Sequence, residues 1–174
     1  MKRLIIHLSL AFILLQFLGC SPKATLYLKP GVNIHRMSIG IVEINGYEPA
    51  TAESKITEQF LLKGIRILER SRIYSILKEQ GFQQTGAVDF STAVEIGKIV
   101  GVNAVFIGSV SHPTISNTAN LKDNTWSSYT VTFTGRLISV KTGDILLSGS
   151  ASGKRGYPNY AMLDAIDKFF EKIL

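Results

Sequence analysis

One residue in this chain is placed for covalent chemistry. Cys20 is the only cysteine among the 174 residues, and it closes the run Phe17-Leu18-Gly19-Cys20. That run resembles a lipobox, in which the thiol is lipidated and the cysteine becomes the mature first residue. Upstream, Lys2 and Arg3 precede an apolar stretch over residues 4–18 that His7 and Gln16 interrupt. The stretch is shorter than the ~20 apolar residues a spanning helix needs, so residues 1–19 read as an export signal. Ordinary cleavage nearby, leaving Cys20 as a free thiol, is the alternative. Acyl chains at ~0.8 kcal/mol per buried methylene would hold the mature chain on a membrane without a spanning helix. No partner exists for a disulfide, so the core alone must hold the fold.

The other reactive residue types are not spaced for catalysis. Ser150-Ala151-Ser152-Gly153-Lys154-Arg155 superficially resembles a phosphate loop, but a P-loop needs Gly where Ser148 stands and Ser or Thr where Arg155 stands. His35 and His112 have no His, Cys or carboxylate nearby at a metal-ligand spacing. Asp89, Asp144, Asp164 and Asp167 fall at turn or helix-surface positions that capping and solvation explain. No Gly-x-Ser-x-Gly elbow supplies a nucleophile. The sequence therefore predicts no enzyme, no cofactor and no metal. Trp126, the single tryptophan, has two readings: an exposed anchor for a partner or membrane interface, or a residue capping the edge of the core.

Removing residues 1–19 takes away Lys2 and Arg3 and no acid, which lowers the formal charge from +6 to +4. On an exported protein this mild excess fits anionic lipid or cell-wall polymer better than nucleic acid, or simply a solvated surface. The remaining length suits one domain. Residues 20–37 contain Pro30-Gly31 and show no sustained period, so they read as a lipid-anchored linker with one extended segment.

The elements that must carry these residues follow in order. Residues 38–44 (SIGIVEI) are a first strand. Thr51 offers a cap for a helix with Ala52, Ile56 and Phe60 on one face, stopped by Gly64. Residues 65–68 give a second strand, and Ile73, Ile76 and Leu77 line a helix ending near Gly81. Thr92 with Glu95 forms a possible capping box for a third helix ended by Gly101. Residues 104–110 (AVFIGSV) are continuously apolar, as in a strand covered on both faces. From 127 to 140 the pattern alternates, with Tyr129, Val131, Phe133 and Leu137 on one side. A turn at 141–144 and a returning strand at 145–151 complete a hairpin. Met162, Ile166, Phe169 and Ile173 define a last helix. The expected fold is a single α/β (α+β mixed) domain over residues 38–174, with a mixed β-sheet, a hairpin in the C-terminal half and about four packed helices.

Glu69-Arg70, Ile76-Leu77-Lys78-Glu79-Gln80, Gly86, the 93–101 helix with Ile96-Gly97-Lys98, Phe106-Ile107-Gly108-Ser109-Val110, and the run from Gly135 to Leu146 form an ordered set. The set resembles the CsgG family of outer-membrane lipoproteins, which includes the curli production assembly/transport component and is similar to LpoB-type activators of peptidoglycan synthases. Val102-Asn103 departs from the Ala and Asp of many relatives. The resemblance implies a non-catalytic protein at the outer membrane, facing the periplasm, that assists assembly or transport through an envelope protein partner and as a homo-oligomer. Ser21 after the lipidated cysteine is compatible with sorting to that membrane in relatives. A secretion-pore subunit and a peptidoglycan-synthase activator are the alternatives. A barrel hairpin needs two alternating strands of ~9–11 residues. Residues 113–127 and 149–160 are too short and polar for that.

Overall fold

The computed structural model describes residues 24–82, 88–117 and 127–173. It is one mixed α/β domain. The sheet has seven strands: β1 (Ala24–Leu28), β2 (Ser38–Gly46), β3 (Arg66–Leu68), β4 (Ala104–Val110), β5 (Thr114–Asn117), β6 (Ser127–Ser139) and β7 (Ile145–Arg155). Its helices are α1 (Pro49–Leu62), α2 (Arg70–Glu79), α3 (Phe90–Val100) and α4 (Pro158–Glu171), with a 3-10 turn at Ile34–Arg36. The strand order is β1-β7-β6-β4-β2-β3, and β5 pairs with β6 beside this path. β3, β2 and β4 run parallel, joined by helical crossovers; β4, β6, β7 and β1 are antiparallel.

Helices cover both faces. On one side α1 and α4 bury Ile56, Phe60, Ile166, Phe169 and Phe170 against Ile41, Phe106 and Phe133 of the sheet. On the other, α2 and α3 bury Ile73, Leu77, Ala93 and Ile96 against Val42, Val105 and Ile138. This second layer covers only part of the sheet, and the burial pattern of two strands records where it stops. β4 is buried at Ala104, Val105 and Phe106 and then opens at Ile107, Gly108 and Ser109. β6 alternates through its middle and becomes continuously buried from Leu137 to Ser139. α3 approaches closely because Gly97 has no side chain: a Cβ there would stand 2.4 Å from Val140 Cγ2 and 2.7 Å from Val105 Cγ1.

Several local features differ from the sequence reading. The extended segment within residues 20–37 is strand β1, paired with β7 from Ala24↔Ala151 to Leu28↔Leu147, and Ile34 is buried in the core. The folded domain thus begins by Ala24, not at residue 38. α1 starts at Pro49, not after a Thr51 cap. Glu48 holds the cap position at φ 46° without a side-chain bond. Pro at the first helical position accounts for the early start, because its φ is already helical and its missing N–H is not needed there. Asp89, not Thr92, caps α3, its carboxylate accepting from the Thr92 N–H at 2.7 Å. β5 lies in what reads as a polar connection, because its residues complete the start of β6 by main-chain pairing rather than by burial. The returning strand expected over 145–151 runs on as β7 to Arg155.

Candidate functional site

Two anticipated positions, the lipid-attachment residue Cys20 and the partner-contact candidate Trp126, lie outside the described residues. The described part offers instead the uncovered half of the second sheet face. Strand alternation puts small polar residues there, and register aligns them across five strands as Asn45 and the hydroxyl-bearing Ser109, Thr134, Ser150 and Thr25. Ser109 Oγ and Thr134 Oγ1 are 2.7 Å apart, and Thr25 Oγ1 and Ser150 Oγ 3.2 Å. A second row holds Glu43, Ile107, Arg136, Ser148 and Tyr27. Together they floor a trough of about 760 Å³. Glu43 is buried at its rim and accepts the Val88 N–H at 3.1 Å. Arg136 and Tyr27 are exposed. The hydroxyls bond one another rather than a base, so none of these pairs has the nucleophile–base geometry of covalent catalysis. They supply neutral donors and acceptors for contact.

The two ends of the sheet differ. At the end where β2 and β4 begin, Arg36, Lys98 and Lys141 surround a groove of about 600 Å³ with Met37, Val102 and Val140 inside it. Asn103 ties that end together. Its Oδ1 accepts from Ser38 N at 2.9 Å and Ser38 Oγ at 3.0 Å. The departure at residues 102–103 thus retains an acceptor oxygen at the position. At the opposite end, β7 finishes in Lys154 and Arg155, and the chain turns through Gly156 into α4. Asp164 fastens this turn: it accepts from Lys154 N at 3.2 Å, Arg155 at 2.6 Å and Lys168 at 2.5 Å. Tyr157 and Tyr160 stand exposed beyond it, 68% and 62% accessible, with ring centroids 6.0 Å apart. Tyr47 joins the loop before α1 to this end through Asn159 Oδ1 at 2.6 Å and packs edge-on against His112.

The aspartates flagged in the sequence all have structural partners. Asp89 caps α3, and the Thr92 N–H holds its carboxyl below the usual range. Asp144 hydrogen-bonds Lys29 at 2.8 Å, which lowers the Asp144 pKa and raises that of Lys29. Asp167 takes Gln59 and Lys55. Burial works against the Lys55 ammonium, but Asp167 and Glu58 outweigh it and raise its pKa. Burial also raises Glu53, with Arg70 opposing. His35 Nδ1 lies 3.0 Å from the Lys63 carbonyl, and His112 sits against Tyr47. Among the described residues no cluster of three potential metal ligands forms, and no buried side-chain polar atom lacks a partner. No described helix is long and apolar enough to cross a membrane.

No curated protein matches the sequence. The fold is similar to several solved structures. Lipoprotein GNA1162 from Neisseria meningitidis matches at TM-score 0.51 with 22% identity, covering 68% of this chain and 82% of that one. PelC from Paraburkholderia phytofirmans, solved as a dodecamer, matches at TM-score 0.56 with 16% identity over 87% and 93%. The LpoB C-terminal domain from Salmonella enterica matches at 0.50 with 17% identity over 72% and 87%. The family described as curli production assembly/transport component CsgG matches residues 63–157, from the end of α1 through the end of β7 and more than half of the chain. The matched segment holds the ordered residues from Glu69 onward and the β6–β7 hairpin: the chain belongs to the CsgG family.

Proposed function

We propose that this is a lipid-anchored, non-catalytic envelope protein of the CsgG type, held at the outer membrane on its periplasmic side, which assists assembly or transport by contact with protein partners and by self-association. The observation that carries this reading is the family match over residues 63–157. Two features support it: the lipobox-like run ending at Cys20, and the flagged aspartates, each of which serves a cap or an ion pair. Self-association draws support from the fold likeness to a subunit of the PelC dodecamer.

A pore made by this chain alone fits less well. Among the described residues the pairing of β5 with β6 gives a hairpin whose shorter arm, Thr114–Asn117, is 4 residues long, against the ~9–11 residues per strand of a membrane barrel. The second reading is an activator of a peptidoglycan synthase, supported by the likeness to LpoB.

The anchor is tested by palmitate labelling in cells. The chain labels and Cys20→Ala does not; equal labelling of the two overturns the anchor. Native mass spectrometry of the detergent-extracted protein tests assembly, and a monomer at high micromolar concentration overturns self-association. Conductance across planar bilayers by the purified protein would replace the contact reading with the pore.

A further inference from the structure

We propose that the end of the domain carrying Lys154, Arg155, Tyr157 and Tyr160 seats on the anionic headgroup surface of the membrane that holds the chain. The inference rests on the reading of Cys20 as the lipidated residue, and it adds which side of the domain faces the bilayer. The direction of β1 decides the side. β1 is antiparallel to β7, with Ala24 opposite Ala151, so the chain leaves the sheet toward the end where β7 finishes. Cys20 stands four residues before Ala24, a reach of at most ~14 Å. From Ala151 to Arg155 is the same number of residues, or ~13 Å along a strand. The acyl chains are therefore held no farther out than about the level of Arg155. The β6–β7 turn lies the length of β7 away, ~36 Å.

The side chains at the near end suit a lipid interface. Tyr157 and Tyr160 are among the most exposed large apolar residues of the described chain and stack edge to face. Exposed tyrosines of this kind settle at headgroup depth, where the ring is apolar and the hydroxyl stays wet. Beside them Lys154 has no ion-pair partner among the described residues. Asp164 is shared by Arg155 and Lys168, so that cluster keeps a positive balance. Glu48 is an exposed acid at the same end. Because the tether reaches only about as far out as Arg155, it leaves little room between this end and the bilayer for a protein partner covering the two tyrosines.

The test uses the protein as cells process it, reconstituted into vesicles of phosphatidylethanolamine and phosphatidylglycerol at 3:1. Intact mass establishes whether Cys20 is acylated. With the only native cysteine acylated, Gly156→Cys and Lys141→Cys each take one fluorophore, and a headgroup-attached quencher reports proximity. Quenching at position 156 but not at 141, and its loss in Lys154→Gln/Arg155→Gln/Tyr157→Ser/Tyr160→Ser with the acyl mass retained, is the expected result. Equal quenching at both positions, or quenching that the four substitutions leave unchanged, overturns the seat. A circular-dichroism spectrum of the four-site variant that matches the unsubstituted protein's excludes misfolding as the cause. If the mass shows no acyl chains, the anchor reading has failed by itself, and sedimentation of that protein with the same vesicles decides the seat. Each cation near an anionic surface is worth roughly fivefold in partitioning. Loss of both therefore lowers sedimentation about 25-fold if the seat is real, and no sedimentation of the unsubstituted protein overturns it.

Discussion

The ring of Phe106 lies over Gly135 on the neighbouring strand, so close that a Cβ at residue 135 would stand 2.7 Å from Phe106 Cζ and 2.9 Å from Phe169 Cζ. The pair anchors an aromatic cluster in which Phe60, Phe106, Phe133, Phe169 and Phe170 meet mainly edge to face. Space for those rings comes from the strand that lacks a side chain beneath them.

Gly135→Ala therefore destabilises the domain, by about 1–3 kcal/mol, because the rings of a packed core cannot give way without leaving their rotamers. Urea unfolding measures it. Gly156→Ala, where nothing lies within 4 Å, serves as the comparison and stays within about 0.5 kcal/mol. Equal midpoints for the two variants would contradict the packing.

Acid stability depends in part on Asp89. The Thr92 N–H, followed by the Thr92 and Ser91 side chains, holds its folded pKa below the usual carboxylate range. A depressed carboxylate contributes stability that is present above the unfolded value, ~3.9, and is lost as pH falls through the folded one. Asn caps a helix as well as Asp does but does not titrate in this range. Asp89→Asn thus folds normally at neutral pH and shows a flatter fall of the urea midpoint between pH 5 and pH 2. An identical slope in both proteins would show that the cap does not depend on the charge.

Asn103 closes the start of the β2–β4 pair through Ser38. Asn103→Ala removes two acceptor contacts and costs about 1 kcal/mol, read most directly as faster hydrogen exchange at the Ser38 amide. Asn103→Asp keeps an acceptor oxygen and leaves that amide protected. Loss of protection in both variants would give the amide side of Asn103 the leading role.

Asp164 is 9% exposed and holds two cations and a main-chain N–H. Asp164→Ala leaves the Lys154 N–H and Arg155 without their acceptor beside the β7–α4 turn, with Lys168 keeping only the Ser152 carbonyl, and costs about 2–3 kcal/mol. The measurement is thermal unfolding of the variant beside Asp167→Ala, whose own side chain is 42% exposed and whose loss is smaller.

Much of the fold was legible because burial writes a period into the sequence. Val131, Phe133 and Leu137 alternate, and Ala93 and Ile96 share one helical face. Features set by main-chain geometry left weaker marks. β1 and β5 are short and pair through backbone groups, so Thr25, Tyr27 and Ile115 stay largely exposed and show no run of apolar residues. The irregular register between Ile41 and Glu43 turns Val42 and Glu43 toward one side, and no residue type announces it. The choice of Asp89 over Thr92 as cap follows from where the chain enters α3; both are good capping residues. The hydroxyl trough was legible only in part: Thr130, Thr132 and Thr134 on the polar side of one strand were visible, but the row across β2, β4, β6, β7 and β1 needs the strand order.

That strand order also has a bearing on timing. β1 is among the first parts of the domain to emerge, yet its partner β7 lies more than a hundred residues later. Contacts so distant in sequence form late, once the loop between them can close. If the chain is exported unfolded, as the reading of residues 1–19 proposes, it gains from this arrangement, since its leading strand has nothing to pair with until translocation is nearly complete. The strand that opens the described domain is thus the latch that shuts last.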